Sequence, residues 1–119
     1  MLYTTIVINE KEYKCRLNAK ACVDLERKLK TNPVNILLDL QLEKFPPLGQ
    51  ILMIFHASLL EMQHGIKEDD VFELYDAYCE NGKNYIDFIN EVIMPVMVDA
   101  GLLPNEDEAQ KIIEEQAKN

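Results

Sequence analysis

The chain has 119 residues, of which 48% are hydrophobic, and a formal net charge of -9. This length fits one domain, and the hydrophobic fraction is that of a globular protein rather than a disordered one. The acidic excess is uneven, because residues 1–47 carry eight basic and six acidic side chains whereas residues 48–119 carry four and fifteen. Acidic groups repel phosphate, so the composition argues against nucleic acid and anionic membrane as partners.

The cysteines predict a reducing compartment. Cys15, Cys22 and Cys79 have no paired spacing, and their odd number argues against a disulfide framework. Each lies on a predicted apolar face, where a free cysteine acts as a small hydrophobe. Residues 1–10 lack a basic region followed by an apolar run, so we expect no signal peptide and a cytoplasmic location.

The chain is expected to begin with a β-hairpin over residues 2–17. Leu2–Ile8 is rich in β-branched side chains, and apolar and charged residues alternate along Glu12–Leu17, as in a half-buried strand. Asn9, Glu10 and Lys11 supply the turn. A lone hairpin is marginal in water, so this one is expected to pack against helices.

Two helices are predicted next. Asn18 is a good N-cap for a helix over Ala19–Leu29. Asn32 and Pro33 then break the chain and start a shorter helix, with Asn32 as its cap and Pro33 at the first helical position. Gln41–Pro47 is predicted to be a loop.

Leu48–Gln63 is predicted to be the central helix of the core. Six apolar residues lie on one face at helical spacing: Leu48, Ile51, Leu52, Phe55, Leu59 and Met62. Apolar residues also occupy most of the other side, and a helix that is apolar nearly all round is normally buried. The stretch is too short and too often interrupted by polar residues to span a bilayer, which needs about 20 apolar residues.

A further helix is predicted between Gly65 and Gly82. Its first turn, residues 68–70, is acidic, which favours the helix dipole. Its core-facing positions are Val71, Leu74, Tyr75 and Tyr78. Four acidic residues, Asp69, Glu73, Asp76 and Glu80, form the acidic stripe opposite. We interpret this stripe as a solvated helix face or, alternatively, as a docking surface for a basic partner.

The last long helix is predicted over residues 85–100. Asn84 and Asp87 suit a capping box at its start. Pro95 removes one backbone hydrogen bond and is expected to kink the helix. Gly101 ends it, and residues 104–119 follow the globular domain of residues 1–103 as an acidic C-terminal helix or tail. The sequence therefore predicts an α+β, mostly helical fold in which an N-terminal β-hairpin packs on a bundle of four to five helices.

No catalytic, cofactor-binding or metal-ligating pattern is present. His56 and His64, the two histidines, are too far apart for an HExxH-like pair. There is no glycine-rich phosphate loop, no CxxC pair and no Ser/His/Asp order. Tyr75–Phe88 has the rhythm of an EF-hand loop, but aligned on Gly82 it places Ala, Cys and Phe at three of the four ligand positions. We expect a non-enzymatic protein without cofactor or metal.

Helix boundaries follow one another in a distinctive order. They are the junction Glu12–Leu29, the Asn32-Pro33 restart, Phe45–Leu60 with Pro47 leading an apolar helix, Gly65–Tyr78, Asn81-Gly82 and the Gly101 stop. This order, up to about residue 103, resembles the tail assembly chaperones of long, flexible-tailed bacteriophages and prophages of Gram-positive bacteria. Lys67 departs from the resemblance, because a threonine-like cap is expected there.

The resemblance implies a function in tail morphogenesis. Members of that family bind the tape-measure protein and the tail-tube protein in the host cytoplasm, keep them soluble and are absent from the mature virion. A tape-measure protein is long, helical and apolar along one face, which a small acidic helical protein could cover. Two alternatives stay open: a small acidic adaptor or regulatory interaction protein from a mobile element, and an enzyme, for which no pocket-lining residues are evident.

The C-terminal part is the candidate partner-binding surface. Six apolar residues lie off the main stripe of the last long helix or follow it: Met94, Val98, Leu102, Leu103, Ile112 and Ile113. Pro95 is expected to bend the helix away from the core and present these side chains, with Asp99 and Glu106–Glu108 as a polar rim. In the alternative interpretation, the same side chains dock the tail or mediate self-association.

Overall fold

The structure is a computed structural model that describes residues 2–38 and 44–105, together with residues 111, 114 and 115. The elements, in order, are β1 (Thr4–Ile8), β2 (Lys11–Cys15), α1 (Ala19–Leu29), α2 (Pro33–Leu38), α3 (Leu48–Leu59), α4 (Glu68–Glu80), α5 (Tyr85–Phe88), a π-helical turn (Ile89–Ile93) and α6 (Met94–Asp99). The predicted α+β, mostly helical fold with an N-terminal hairpin is confirmed. No helix in this described part is both long enough and apolar enough to cross a bilayer.

The hairpin is closed by a two-residue turn. Strands β1 and β2 pair antiparallel, with Ile8 opposite Lys11. Asn9 and Glu10 both have positive φ, at 51° and 66°, which is the geometry of a type I′ turn. The predicted three-residue turn was therefore wrong by one residue, because Lys11 already belongs to β2. Alternation along the strands buries one face, which consists of Ile6, Ile8, Tyr13 and Cys15.

Local capping sets the starts of α1 and α2. The Asn18 side chain accepts a hydrogen bond from the Ala21 amide at 2.8 Å, and the Asn32 side chain accepts one from the Val34 amide at 2.9 Å. Both predicted caps are confirmed. The first residues of the predicted loop Gln41–Pro47 lie outside the described residues.

Helix α3 is the element around which the others pack. It contacts α1, α2, α4, β2 and the π-helical turn, so the prediction of a central helix is confirmed. The predicted end at Gln63 was wrong, since α3 ends at Leu59. The Gln63 side chain pairs with β2: its Nε2 donates to Leu59 O and Lys14 O, both at 2.8 Å, and its Oε1 accepts from the Lys14 amide at 2.8 Å. One side chain thus joins the end of α3 to the outer edge of β2.

Helix α4 and the last helical segment meet α3 at an aromatic cluster. The Phe88 ring packs edge-on against Phe55, Tyr75 and Tyr78, with centroid separations of 5.0, 5.1 and 5.2 Å. Edge-to-face pairs at this spacing stabilise beyond the area that they bury. This cluster joins α3, α4 and α5.

The segment that contains Pro95 changes its helical pitch. The Met94 amide donates to Ile89 O, five residues back, as in a π-helix. Proline has no amide hydrogen, and in an α-helix its ring clashes with the carbonyl four residues before it, so a wider turn just upstream relieves the clash. Beyond it, α6 contacts β1 and buries Val96 and Met97. The expectation that Pro95 bends this helix away from the core was wrong.

Candidate functional site

Two of the three cysteine thiols have a raised pKa. Cys15 is fully buried, and this burial raises the pKa of its thiol to about 11 despite a hydrogen bond with Ser58. Burial also raises the pKa of the Cys22 thiol. Thiols of this kind stay protonated at neutral pH and are poor nucleophiles. Among the described residues, no group of three or more His, Cys, Asp or Glu side chains is placed to hold a metal ion.

His56 has a structural contact. Its Nε2 lies 2.9 Å from Ile66 O. A carbonyl oxygen only accepts, so this nitrogen donates and the ring is held in one tautomer. The bond joins α3 to the connection that leads into α4.

A groove of about 820 Å³ opens between α1 and α4, with the outer side of α3 as its floor. Both helices pack on α3 and leave this side of it between them. Among the apolar side chains that line the groove are Ala21, Leu52, Met53, Ala57, Leu60 and Phe72. We call this feature the α1–α4 groove.

The floor of the α1–α4 groove is apolar and accessible. Leu60, the residue after α3, is 46% exposed and Phe72 on α4 is 43% exposed, while Met53 and Ala57 are half-buried. This corrects the expectation that the Leu48–Gln63 helix is buried all round. Contiguous apolar side chains left in water at a concave surface are typical of a site that binds a partner.

The two walls of the α1–α4 groove carry different charges. On α1 the wall residues Lys20, Asp24 and Lys28 follow one another at intervals of four residues, whereas Glu68 lies on the α4 wall. Asp24 is 3.6 Å from Arg27, in an exposed pair on the same helix. Glu61 forms a 2.9 Å ion pair with Arg16, which links the end of α3 to the residue after β2.

A second, more polar cavity of about 620 Å³ lies beside β1. At its edge Glu91 accepts 2.8 Å hydrogen bonds from Lys83 Nζ and from the Tyr78 hydroxyl. Both bonds lower the pKa of the Glu91 carboxyl, and the bond from Lys83 has the larger effect. Burial and the bond to Glu91 raise the pKa of the Tyr78 phenol. The network ties α4 to the π-helical turn.

The predicted C-terminal surface is only partly accessible. Met94, Leu102 and Leu103 are half-buried and pack against the core, and Val98 is half-buried. The amides of Leu102 and Leu103 both donate to Met97 O, at 3.0 and 3.4 Å. Ile112 and Ile113, like Glu106–Glu108, lie outside the described residues. Partner binding by this surface stays a prediction.

Sequence reasoning did not find the α1–α4 groove. The apolar pattern of Leu48–Gln63 runs nearly all round the helix and therefore predicts burial on every side. Phe72 was the available signal. It lies off the core-facing positions of α4, next to the acidic stripe, where a large apolar side chain has no place in the core.

Comparison with known proteins gives a family without a function. Neither a curated protein nor a solved structure matches the chain. The model of one family, described as a family of unknown function (DUF6096), matches residues 2–116. This range contains the hairpin, every described helix and both walls of the α1–α4 groove. The chain therefore belongs to DUF6096, a family of unknown function.

Proposed function

We propose that this protein is a phage or prophage tail assembly chaperone. It binds tape-measure and tail-tube proteins in the cytoplasm of the bacterial host, catalyses no reaction and is absent from the mature virion. The observation that supports a binding function is the α1–α4 groove, whose apolar floor is open to solvent. Grooves of this kind receive the apolar face of an amphipathic helix.

The chemistry of the groove suits a client that is helical and apolar along one face. Met53 is flexible and polarisable, so it adapts to side chains of different shape. The remainder of the chain supplies solubility, because a net charge of -9 disfavours association between complexes. A chaperone needs both properties, since it covers an apolar face and keeps the covered protein in solution.

A small acidic adaptor or regulator from a mobile element would use the same groove for a different helix. The α1–α4 groove is consistent with both functions, and the order of helix boundaries favours the chaperone. Identification of the bound protein would distinguish the chaperone function from the adaptor or regulatory function.

Coexpression with the tape-measure protein of the same element tests the proposal. We expect the tape-measure protein to stay soluble and to copurify with this chain. Leu60→Ser and Phe72→Ser should each weaken capture about fivefold or more, as expected for anchor side chains in an interface. Val7→Ser and Ile86→Ser are matched controls, because these side chains are 63% and 51% exposed and lie outside the groove. They should capture normally.

Circular dichroism melts check that all four variants stay folded. A tape-measure protein that neither copurifies nor gains solubility would overturn the chaperone proposal. If Leu102→Ser with Leu103→Ser abolishes capture while Leu60→Ser has no effect, the predicted C-terminal surface is the binding site instead of the groove.

A further inference from the structure

We propose that the α1–α4 groove selects an amphipathic helix that has basic side chains on the flank facing α4 and acidic side chains on the flank facing α1. The inference rests on the proposed function only for the helical nature of the client. It follows from the shape of the floor and from the unpaired charges on the two walls.

The floor defines the apolar stripe of the bound helix. Met53, Ala57 and Leu60 follow one another at helical spacing along α3, so they form a line about 10 Å long. Ala57 is small and lies between two large side chains. It leaves a recess for one large apolar side chain of the partner, as in ridge-into-groove packing of helices.

The α1 wall is net positive. Lys20 and Lys28 are exposed, and in the described part of the chain neither makes an ion pair. Asp24 lies between them, but Arg27 is within 3.6 Å of its carboxylate. Two lysines thus face the groove without a partner of opposite charge.

The α4 wall is negative. Glu68 lines the groove, and Asp69 and Asp76 of the acidic stripe lie within about 60° of Phe72 around the helix. All three carboxylates are exposed and form no ion pair among the described residues. Basic side chains of a bound helix would therefore meet carboxylates on this side.

Because the two walls carry opposite charges, they determine which helix binds more than they determine the affinity. Exposed ion pairs contribute little because water and salt screen them, so the apolar floor supplies most of the affinity and the walls reject a wrongly charged helix. The chain's own residues 106–119 carry five acidic and two basic side chains, which makes this segment a poor match for the α4 wall. A second copy would bring the acidic stripe of its own α4 and is disfavoured for the same reason.

Designed peptides test the inference with the full chain. Two fluorescein-labelled helices share one leucine stripe, and they differ in their flanks: one has a lysine flank and a glutamate flank, the other has two lysine flanks. Fluorescence anisotropy gives the two dissociation constants and their ratio. In the Lys20→Glu/Lys28→Glu variant this ratio should shift in favour of the two-lysine helix by about fivefold, because two exposed charge contacts change sign.

The control has the same net charge as the groove variant. Lys11→Glu with Lys30→Glu changes two exposed lysines outside the groove lining, so it reproduces the long-range attraction of the peptides without altering the wall. Its preference for the two-lysine helix should shift clearly less than that of Lys20→Glu/Lys28→Glu, and the difference between the two double variants measures the effect of the α1 wall. An equal shift in both double variants would overturn the inference.

Three further outcomes decide the occupant. Leu60→Ser should weaken both peptides, and unchanged binding would overturn the assignment to the groove. If the Ile112→Ser/Ile113→Ser variant binds both peptides more tightly than the wild type, the chain's own C-terminal segment competes for the groove. That result would overturn the inference. Analytical ultracentrifugation tests for a second copy in the groove. A wild-type dimer that is lost in the Leu60→Ser variant would overturn the inference, because the occupant would then be another copy of this chain.

The designed helices contain no phage sequence, so this test is independent of the proposed function. Charge selection without capture of the tape-measure protein would refute the chaperone function alone. Capture of that protein without charge selection would refute the present inference alone.

Discussion

Single side chains form hydrogen bonds that stabilise the fold, both within a helix and between distant parts of the chain. The Ser58 hydroxyl is fully buried in α3 and donates to Phe55 O at 2.6 Å. Asn81 Nδ2, at the end of α4, donates to Asn9 Oδ1 at 3.1 Å and so ties that helix to the hairpin turn. Throughout the described residues, no buried side-chain nitrogen or oxygen lacks a hydrogen-bond partner. Among the described residues, the non-glycine positions with left-handed backbone are Asn9 and Glu10 in the hairpin turn and Lys30 at the end of α1.

At the turn, Glu10→Gly should stabilise the protein. Glu10 has φ 66°, a left-handed conformation that disfavours an L side chain by about 1–2 kcal/mol. Glycine adopts it freely and creates the Asn-Gly pair that type I′ turns prefer, although it also loosens the unfolded chain. We expect a net gain of about 0.5–1 kcal/mol in the free energy of unfolding, measured by urea denaturation.

Glu10→Ala is the matched control, because it removes the same charge and keeps the Cβ. It should leave the free energy of unfolding nearly unchanged. A gain equal to that of Glu10→Gly would mean that charge, and not backbone conformation, is responsible.

At the scale of elements, the start of α4 is only partly capped. The Asp70 carboxylate accepts a hydrogen bond from the Lys67 amide at 2.8 Å. This is half of a capping box, since a lysine side chain has no acceptor to offer the amide of Asp70. The α5 start has the full box, in which the Asn84 side chain accepts from the Asp87 amide at 2.9 Å and the Asp87 side chain accepts from the Asn84 amide at 3.0 Å.

Lys67→Ser should complete the capping box of α4. The serine hydroxyl accepts from the Asp70 amide, and replacing an N-cap that lacks an acceptor by serine is worth about 1 kcal/mol. Thermal and urea denaturation should show this gain. Lys67→Ala removes the same positive charge from the positive end of the helix dipole and should recover only a minor part. If alanine stabilises as much as serine, the dipole and not the cap limits α4.

At the scale of the whole molecule, three helices depend on one aromatic cluster. Phe55 and Phe88 are fully buried and in edge-to-face contact. Truncating either ring leaves a cavity where α3, α4 and α5 meet. Phe72, in the α1–α4 groove, lies off the core-facing positions of α4 and contributes little to this core.

Phe55→Ala should therefore lower the free energy of unfolding by about 3–5 kcal/mol. The matched control is Phe72→Ala, which removes the same ring from a site that is 43% exposed, and it should change stability by less than about 1 kcal/mol. Urea denaturation of both variants measures the difference. Similar losses at the two positions would place Phe72 in the core and remove a wall of the groove.

The amino-acid sequence by itself determined the order and the starts of the elements. Asn18 and Asn32-Pro33 begin helices, and Asn84 with Asp87 forms a capping box, as predicted. Each of these signals acts between residues at most a few positions apart. The chemistry is therefore complete within a short stretch of sequence and needs no knowledge of the rest of the fold.

Only the tertiary structure decided how the end of α3 is tied to the hairpin and which side of α3 stays open. Gln63, beyond the end of α3, pairs with Lys14, 49 residues away, and no local pattern predicts this contact. The last helix meets Pro95 with a π-helical turn, since the buried residues around it hold α6 against β1. A helix that is apolar on every side does not reveal which side its neighbours cover. The α1–α4 groove exists because α1 and α4 approach α3 from two directions and leave Met53, Ala57 and Leu60 between them.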